Sequence, residues 1–362
     1  MFDLPQDIPQ EPRQNSENMI KVVHVINCLA RIGGAERLVF DLAEHSQERP
    51  VQVISWWGRD NSLIKGGTAS IELISLRPFT WKALRLAIRA LRRAHVVHLH
   101  LFPTLYLGPF IKTPVMFTEH NTWNARRDRP LLRPLERWCY SRIDKVVANS
   151  EETGAALARW LGRSPPGLSV IPNGICLGRF GNQPRQHQTG NVILGMAARF
   201  AVEKDHRTLI EAMSYLPNSY RLRLAGDGQL LEEMKAFARE LEVHHRIEFI
   251  GVVEDMPAFY ASLNLYVQSS RHDGFSLVAV EAMASGLPTI ASDVDGLRGT
   301  VGNQALLFPL ANARALAQRI LEISESAELY ESLSKYCVTR AQQFDVSITA
   351  RLYDSAYATL AE

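Results

Sequence analysis

Arg271-His-Asp-Gly-Phe-Ser-Leu-Val-Ala-Val-Glu-Ala-Met-Ala-Ser-Gly286 is the stretch whose reading decides the fold. It opens on an acid, Asp273, followed by Gly274. It then turns into a helix-like run that places Glu281 about two turns in. Gly286 and Pro288 stop the run, as a glycine just past a helix end and a proline beyond it should. The Gly274-Phe275-Ser276-Leu277 turn aims backbone N–H groups at whatever lies before the helix, and such a terminus favours anionic or hydroxyl-rich ligands. Two carboxylates at this spacing suit two parts of one elongated polar ligand. A surface helix with ordinary N-terminal acids fits the same residues.

Working outward, the chain has 362 residues, which points to two domains. A hydrophobic fraction of 46% and a charged fraction of 22% are those of a globular protein. The four cysteines are far apart and form no C-x-x-C pair, so neither a disulfide framework nor a zinc site is expected. No apolar run approaches the roughly 18 residues of a membrane span. Residues 1–18 are polar and read as a disordered tail rather than a signal peptide. The net charge of +2 hides an asymmetry. Residues 19–183 sum to +11 and residues 184–362 to −6. A basic first half is expected to meet something anionic.

Short β-branched runs alternate with amphipathic ones along most of the chain. Ile20–Asn27, Val51–Trp57, Ile71–Leu76, Val96–Leu101, Val115–Thr118, Asp144–Asn149 and Leu168–Ile171 read as strands. Leu38–His45, Trp81–Ala94 and a helix capped by Ser150 lie between them. Pro172-Asn-Gly174 is a sharp turn, and the polar stretch 178–191 reads as a hinge. A second series follows, with strands Val192–Ala197, Tyr220–Ala225, Ile247–Ile250, Leu265–Gln268 and Thr289–Ser292. Its helices are Arg207–Ser214, Leu230–Leu241 and Met256–Ser262. Two α/β halves with mostly parallel sheets make a cleft between them the default ligand site. Val346–Glu362 is amphipathic, with Ile348, Leu352, Ala356 and Leu360 on one face.

The opening stretch resembles the signature of retaining glycosyltransferases of family 4. That signature has an acid, seven residues and a second acid, with Gly-Phe-Gly after the first and an Ala-Met-Ala-Ser-Gly-like helix end. Here Asp273 replaces the usual first Glu and Ser276 the second Gly. The resemblance implies the GT-B fold: two Rossmann-like α/β domains facing each other across a cleft. Residues 19–180 would bind the acceptor and 181–344 the nucleotide sugar. The helix 345–362 would cross back to the first domain.

The resemblance also implies roles for residues. Arg199 and Lys204, in Ala198-Arg-Phe-Ala-Val-Glu-Lys204, would hold the donor diphosphate, one as a fork and one as a point charge. Taken alone, the pair reads as surface charge. Gly226, in Gly226-Asp-Gly228, would turn beside the donor, although such a triplet is first of all turn chemistry. Val252, in Gly251-Val-Val253, would meet the base through its backbone. Glu281 would accept from the ribose hydroxyls and Asp273 from the sugar hydroxyls. The backbone of Gly274, Phe275, Ser276 and Leu277 would complete the donor site. His120, at a strand exit in Phe117-Thr-Glu-His-Asn121, matches the histidine near the transferred sugar. Gly33 and Gly34 match the glycine loop over the sugar diphosphate. Asp293-Val-Asp295 looks like a metal-binding Asp-x-Asp, but it falls where the family has Asp-Val-Gly-Gly. No metal and no other cofactor is expected. Gly299 stands where the family has a Glu.

The implied activity is transfer of a hexose from a nucleoside-diphosphate sugar, with retention, to a saccharide or lipid-linked saccharide in surface polysaccharide or lipopolysaccharide biosynthesis. The expected place is the cytoplasm, with peripheral contact at the inner face of the plasma membrane. Two basic runs with aromatics would make that contact: Lys82, Arg85, Arg89, Arg92 and Arg93 beside Trp81, and Arg126, Arg127, Arg129, Arg133 and Arg137 beside Trp138. Solvated helix faces explain the same runs equally well. No binding module points to nucleic acid. A sugar-nucleotide 2-epimerase of the same fold and a catalytically silent binding subunit are the alternatives. A glycosidase would need an acid and a base flanking the bond, whereas both acids here lie on one loop and helix.

Overall fold

The computed structural model describes residues 20–28, 34–45, 51–57, 71–76, 79–122, 124, 126–188 and 190–362, with the backbone alone at Cys28 and Trp57. The expected tail 1–18 and Gly33 lie outside the described residues. The chain divides into two compact units, 1–174 with 346–362, and 175–345.

The first unit runs β1 (Val22–Cys28), α1 (Gly34–His45), β2 (Val51–Trp57), β3 (Ile71–Ser75), α2 (Trp81–Arg93), β4 (Val96–His100), β5 (Val115–Glu119), α3 (Arg133–Tyr140), β6 (Lys145–Ala148), α4 (Glu151–Leu161) and β7 (Ser169–Val170). Its seven strands stand in the order β3-β2-β1-β4-β5-β6-β7, and every pairing is parallel. The central strands β1, β4, β5 and β6 are buried on both faces, as parallel sheets require, while the edge strands β3 and β7 are only partly covered. α4 shows how sequence fixes an end. Ser150 accepts a hydrogen bond from the Thr153 amide, Glu151 and Glu152 sit in the first turn, and Gly162 ends the helix at φ 70°. α1 starts four residues earlier than its expected Leu38, so Gly34 is its first residue rather than part of a loop. α3 carries Arg133 and Arg137 of the second basic run, for which a helix face was one of the two readings.

The second unit runs β8 (Val192–Ala197), α5 (His206–Ala212), β9 (Tyr220–Ala225), α6 (Leu231–Glu240), β10 (Ile247–Gly251), α7 (Met256–Ala261), β11 (Leu265–Gln268), α8 (Leu277–Ala284), β12 (Thr289–Ser292), α9 (Asp295–Val301), β13 (Leu307–Phe308), α10 (Ala313–Glu325) and α11 (Ala327–Gln342). Its parallel sheet has the order β10-β9-β8-β11-β12-β13. The sequence reading has no element between Ser292 and Val346, where α9, β13, α10 and α11 stand.

The stretch 178–191, expected to be the hinge, belongs to the second unit. Arg185 holds it there, donating from its guanidinium to the carbonyls of Ser285, Leu263 and Tyr260. Phe180 is buried in that unit's core.

The last helix, α12 (Val346–Ala361), packs on the first unit with Leu38, Leu42, Val96 and Met116. Val346, Thr349, Ala350, Tyr353, Ala356 and Tyr357 are its buried residues; of the expected face Ala356 is among them, Leu352 and Leu360 pack half-buried against the same cluster, and Ile348 is half-buried. The two tyrosines are admitted because their hydroxyls find partners. The Tyr353 hydroxyl lies 3.2 Å from Thr118 Oγ1, and the Tyr357 hydroxyl 2.7 Å from His98 Nδ1.

Gly286 ends α8 at φ 76°, and a Cβ there would lie 2.2 Å from the Gln183 carbonyl oxygen. Gly286→Ala is expected to destabilise the chain by about 1–3 kcal/mol. Gly178→Ala, at a site with nothing within 4 Å, is expected to leave the denaturation midpoint in place. Thermal or urea unfolding of both variants checks this.

Candidate functional site

In the second unit the strand order reverses between β8 and β11. Loops leaving the carboxyl ends of the two strands at such a point diverge and leave a crevice. The loop after β8 carries Arg199 and Lys204, and the loop after β11 carries Asp273. Lys204 Nζ donates to Asp273 Oδ2 at 2.7 Å, with the two side chains 21% and 8% exposed. Three more bonds tie the two loops. The Arg271 amide donates to the Glu203 carbonyl at 2.8 Å, and its guanidinium pairs with buried Asp205 at 3.3 Å. Ser269 Oγ donates to the Asp205 carbonyl at 3.0 Å. Asp205 itself holds φ 36°, a left-handed conformation kept in place by these bonds and by Thr208 Oγ1 at 2.8 Å.

Arg199 does not join this contact. Its side chain is 78% exposed and pairs with Glu203 at 3.1 Å. The backbone that carries it is fixed, because the Gly226-Asp-Gly228 turn lies directly against it. A Cβ on Gly226 would fall 2.0 Å from the Ala198 carbonyl oxygen, and one on Gly228 2.5 Å from that of Phe200. Both glycines have positive φ, 133° and 156°. The triplet is thus required by a close backbone approach as well as by a turn. His206 stacks on Phe200 at 4.1 Å, and burial, aided by the Lys204 charge, lowers its pKa to about 4.

Glu281 lies on α8 and accepts from the Tyr260 hydroxyl at 2.9 Å. Tyr260 packs edge-on against Tyr266 of β11 at 5.6 Å. Burial raises the Tyr266 pKa, and the charges of Glu281 and Asp273 both add to it. Burial followed by the Glu281 charge raises Tyr260 well above the usual phenol range, so the hydroxyl stays a donor to the carboxylate. Gly274, Phe275 and Ser276 are buried ahead of α8, and Leu277 is its first residue. Ser276 Oγ has no hydrogen-bond partner. Phe275 packs edge-on against Phe344 at 5.2 Å. The start of α9 closes on the same loop, since a Cβ on Gly296 would meet the Asp273 carbonyl oxygen at 2.1 Å. Val252 stands 74% exposed just beyond β10.

The structure thus brings Lys204 and Asp273 into contact and sets Glu281 nearby. It leaves Arg199 on the rim. Sequence reasoning missed Asp205, Tyr260 and Tyr266, and gave Arg271 no role although it begins the deciding stretch. No motif marks the tyrosines, which join the site only through packing. Asp293 and Asp295 both accept from Arg298, at 2.6 and 3.2 Å, so this Asp-x-Asp is engaged by an arginine.

In the first unit His120 leaves β5 at 8% exposure, and neither ring nitrogen has a partner. Burial lowers its pKa to about 4, so the imidazole is neutral near pH 7. Asn149 holds its backbone, donating to the His120 carbonyl at 3.0 Å. Of the expected arginine cluster, Arg126 pairs with buried Glu136 at 2.6 Å and Arg127 with Glu119 at 3.5 Å. Arg137 donates to the Leu161 carbonyl. These three cations are used internally.

Comparison with known proteins agrees with this arrangement. The family model described as glycosyl transferases group 1 matches residues 181–339, and that of glycosyltransferase family 4 matches 32–179. The putative glycosyltransferase EpsF of Bacillus subtilis is 28% identical over 327 residues, covering 80% of this chain and 85% of that protein. The chain spans 24% and 50% of the lengths of two other curated relatives that it matches. These are an exopolysaccharide phosphotransferase of Streptomyces coelicolor and the 2-deoxystreptamine glucosyltransferase of Streptomyces kanamyceticus. The crystal structure of Anabaena HepE in complex with UDP and glucose superposes with a TM-score of 0.83 at 19% identity, covering 94% of this chain and all of that one. The fold is GT-B. With one family model on each unit and the acid-bearing stretch at the strand-order reversal, the chain belongs to glycosyltransferase family 4.

Proposed function

We propose that the protein is a retaining glycosyltransferase that moves a hexose from a nucleoside-diphosphate sugar to a hydroxyl of a lipid-linked saccharide in surface polysaccharide assembly. The Lys204–Asp273 contact at the strand-order reversal carries this reading. It sets a diphosphate cation beside a sugar-binding acid on two loops of one sheet. Relatives supply the setting: a lipopolysaccharide core glycosyltransferase of Rhizobium meliloti, and a Campylobacter jejuni transferase whose substrate is a diphospho-undecaprenol saccharide.

In this reading Lys204 and Arg199 take the diphosphate, whose charge grows as the nucleotide departs. A cation that meets this developing charge stabilises the transition state more than the ground state. Both cations rest on carboxylates in this structure, Asp273 and Glu203. The donor then replaces one anionic partner with another, and Asp273 becomes available to accept from sugar hydroxyls. Glu281 takes the ribose hydroxyls, with Tyr260 fixing its orientation. The amides ahead of α8 and the buried Ser276 hydroxyl face the phosphates. Val252 presents its backbone to the base. Neutral His120 donates a hydrogen bond to the transferred sugar. The cations and amides do the work that a metal ion does elsewhere, so the reaction proceeds without one.

We place the acceptor's lipid side at α2. Trp81 is 72% exposed, and Phe79 beside it 61%. Leu86 and Ile88 are exposed on the same helix. The helix also carries Lys82, Arg85, Arg89, Arg92 and Arg93, and its own sequence, Trp81–Arg93, contains no acid. Apolar and cationic groups together suit an anionic bilayer surface.

Transfer from a panel of nucleoside-diphosphate hexoses, read as kcat/KM, tests the site. Lys204→Ala and Glu281→Ala are each expected to lose about 100-fold or more. Undiminished activity in both would refute the assignment. Metal chelation is expected to leave the rate unchanged. In vesicle sedimentation, the chain is expected to bind phosphatidylglycerol vesicles and release them at high salt. Arg85→Glu/Arg89→Glu is expected to abolish binding, and retained binding would remove α2 from the proposal.

A further inference from the structure

Val96-Val-His-Leu-His100 sets two imidazoles on one face of β4, because successive strand residues alternate sides. The register of β1 against β4 places His24 directly beside His98. Three histidines from two strands thus share one buried face, each no more than 3% exposed. The sequence shows no such cluster, since His24 is over seventy residues away from the other two.

The three rings converge. His24 Nδ1 lies 3.0 Å from His100 Nε2. The ring centroids of His98 and His100 are 3.9 Å apart, and those of His24 and His98 5.2 Å. One nitrogen from each lies within 4.8 Å of the others. His100 Nδ1 has no hydrogen-bond partner although it is buried. Such a group is costly to leave unsatisfied in an apolar interior.

We propose that His24, His98 and His100 form a three-imidazole site for one zinc(II)-class transition-metal ion. Nitrogen ligands at 2.0–2.1 Å in a tetrahedron stand about 3.3 Å from one another, close to the His24–His100 spacing. The ion takes the place of the hydrogen bond between these two rings. Each ring keeps its single N–H on the nitrogen that does not ligate, so no proton is lost overall. His98 turns one nitrogen to the ion and keeps a hydroxyl on the other. Its present partners are the Tyr357 hydroxyl and Thr118 Oγ1, both at 2.7 Å. Such outer partners fix the ring and tautomer of a ligating histidine. The ion pins β1 to β4 and, through Tyr357, holds α12 to the sheet. It takes no step in glycosyl transfer, so this inference stands or falls apart from the proposed activity.

Tag-free full-length protein, dialysed against chelator and titrated with zinc chloride, tests the site. The expected result is one zinc per chain by elemental analysis and a higher thermal midpoint with zinc than without. His24→Gln and His100→Gln should each weaken binding by about tenfold or more. His244→Gln/His245→Gln, at an exposed histidine pair, should bind as the parent does. Binding below one tenth of an equivalent, or binding unchanged in both ligand variants, would overturn the proposal. Zinc-edge X-ray absorption on the unaltered chain decides the case if the variants fold poorly. A nitrogen shell at about 2.0 Å supports the site, and a sulfur or all-oxygen shell sinks it.

Discussion

Parallel strands cannot be joined by tight turns, and that constraint decides where the functional loops of this chain emerge. Each crossover returns through a helix, so the carboxyl ends of all strands in a sheet point to the same edge. In the second unit the reversal of order between β8 and β11 parts two neighbouring crossovers. The loops that bear Lys204 and Asp273 leave the sheet there. About seventy residues separate them in the chain, but one strand spacing, roughly 5 Å, separates their starting points. The glycines of 226–228 and Gly296 follow from the same crowding. Each stands where a neighbouring backbone leaves no room for a side chain.

At this edge the chain balances its own charges. Lys204 rests on Asp273, Arg199 on Glu203 and Arg271 on Asp205, while Glu281 accepts from Tyr260. The pairs differ in worth. Arg199–Glu203 is open to water and contributes little to stability. Lys204–Asp273 is mostly shielded, and removing one partner would leave a charge poorly solvated. A polyanionic ligand that supplies its own charge to the cations can displace either acid at modest net cost. That property suits the proposed role of the site, which requires a nucleotide to enter and leave.

The first unit solves a different problem. The face of its sheet beneath α12 is not a plain apolar layer. His24, His98, His100 and Thr118 stand on it, and Tyr353 and Tyr357 reach them from above. Buried polar groups of this kind specify one docking geometry, because a shifted helix would leave hydroxyls and imidazoles unpaired. This accounts for the face that α12 chooses. Leu352 and Leu360 pack half-buried against the same cluster, beside these polar contacts.

The sequence by itself determined the alternation of strands and helices, the parallel α/β class and the stretch 271–286, because each is a local pattern of period, cap and turn. Ser150 and Gly286 could be read as punctuation without a partner in view. The family followed from spacing within single segments. Where those segments meet was decided only in three dimensions. Nothing local says that Arg185 anchors 178–191 to the second unit, that Tyr260 serves Glu281, or that Glu136 and Glu119 occupy the arginines beside them. The pairing of His24 with His98 and His100 is of the same kind, since strand register is a relation between distant residues. Contacts of this sort depend on which strands become neighbours, and that order is set by the packing of the whole sheet.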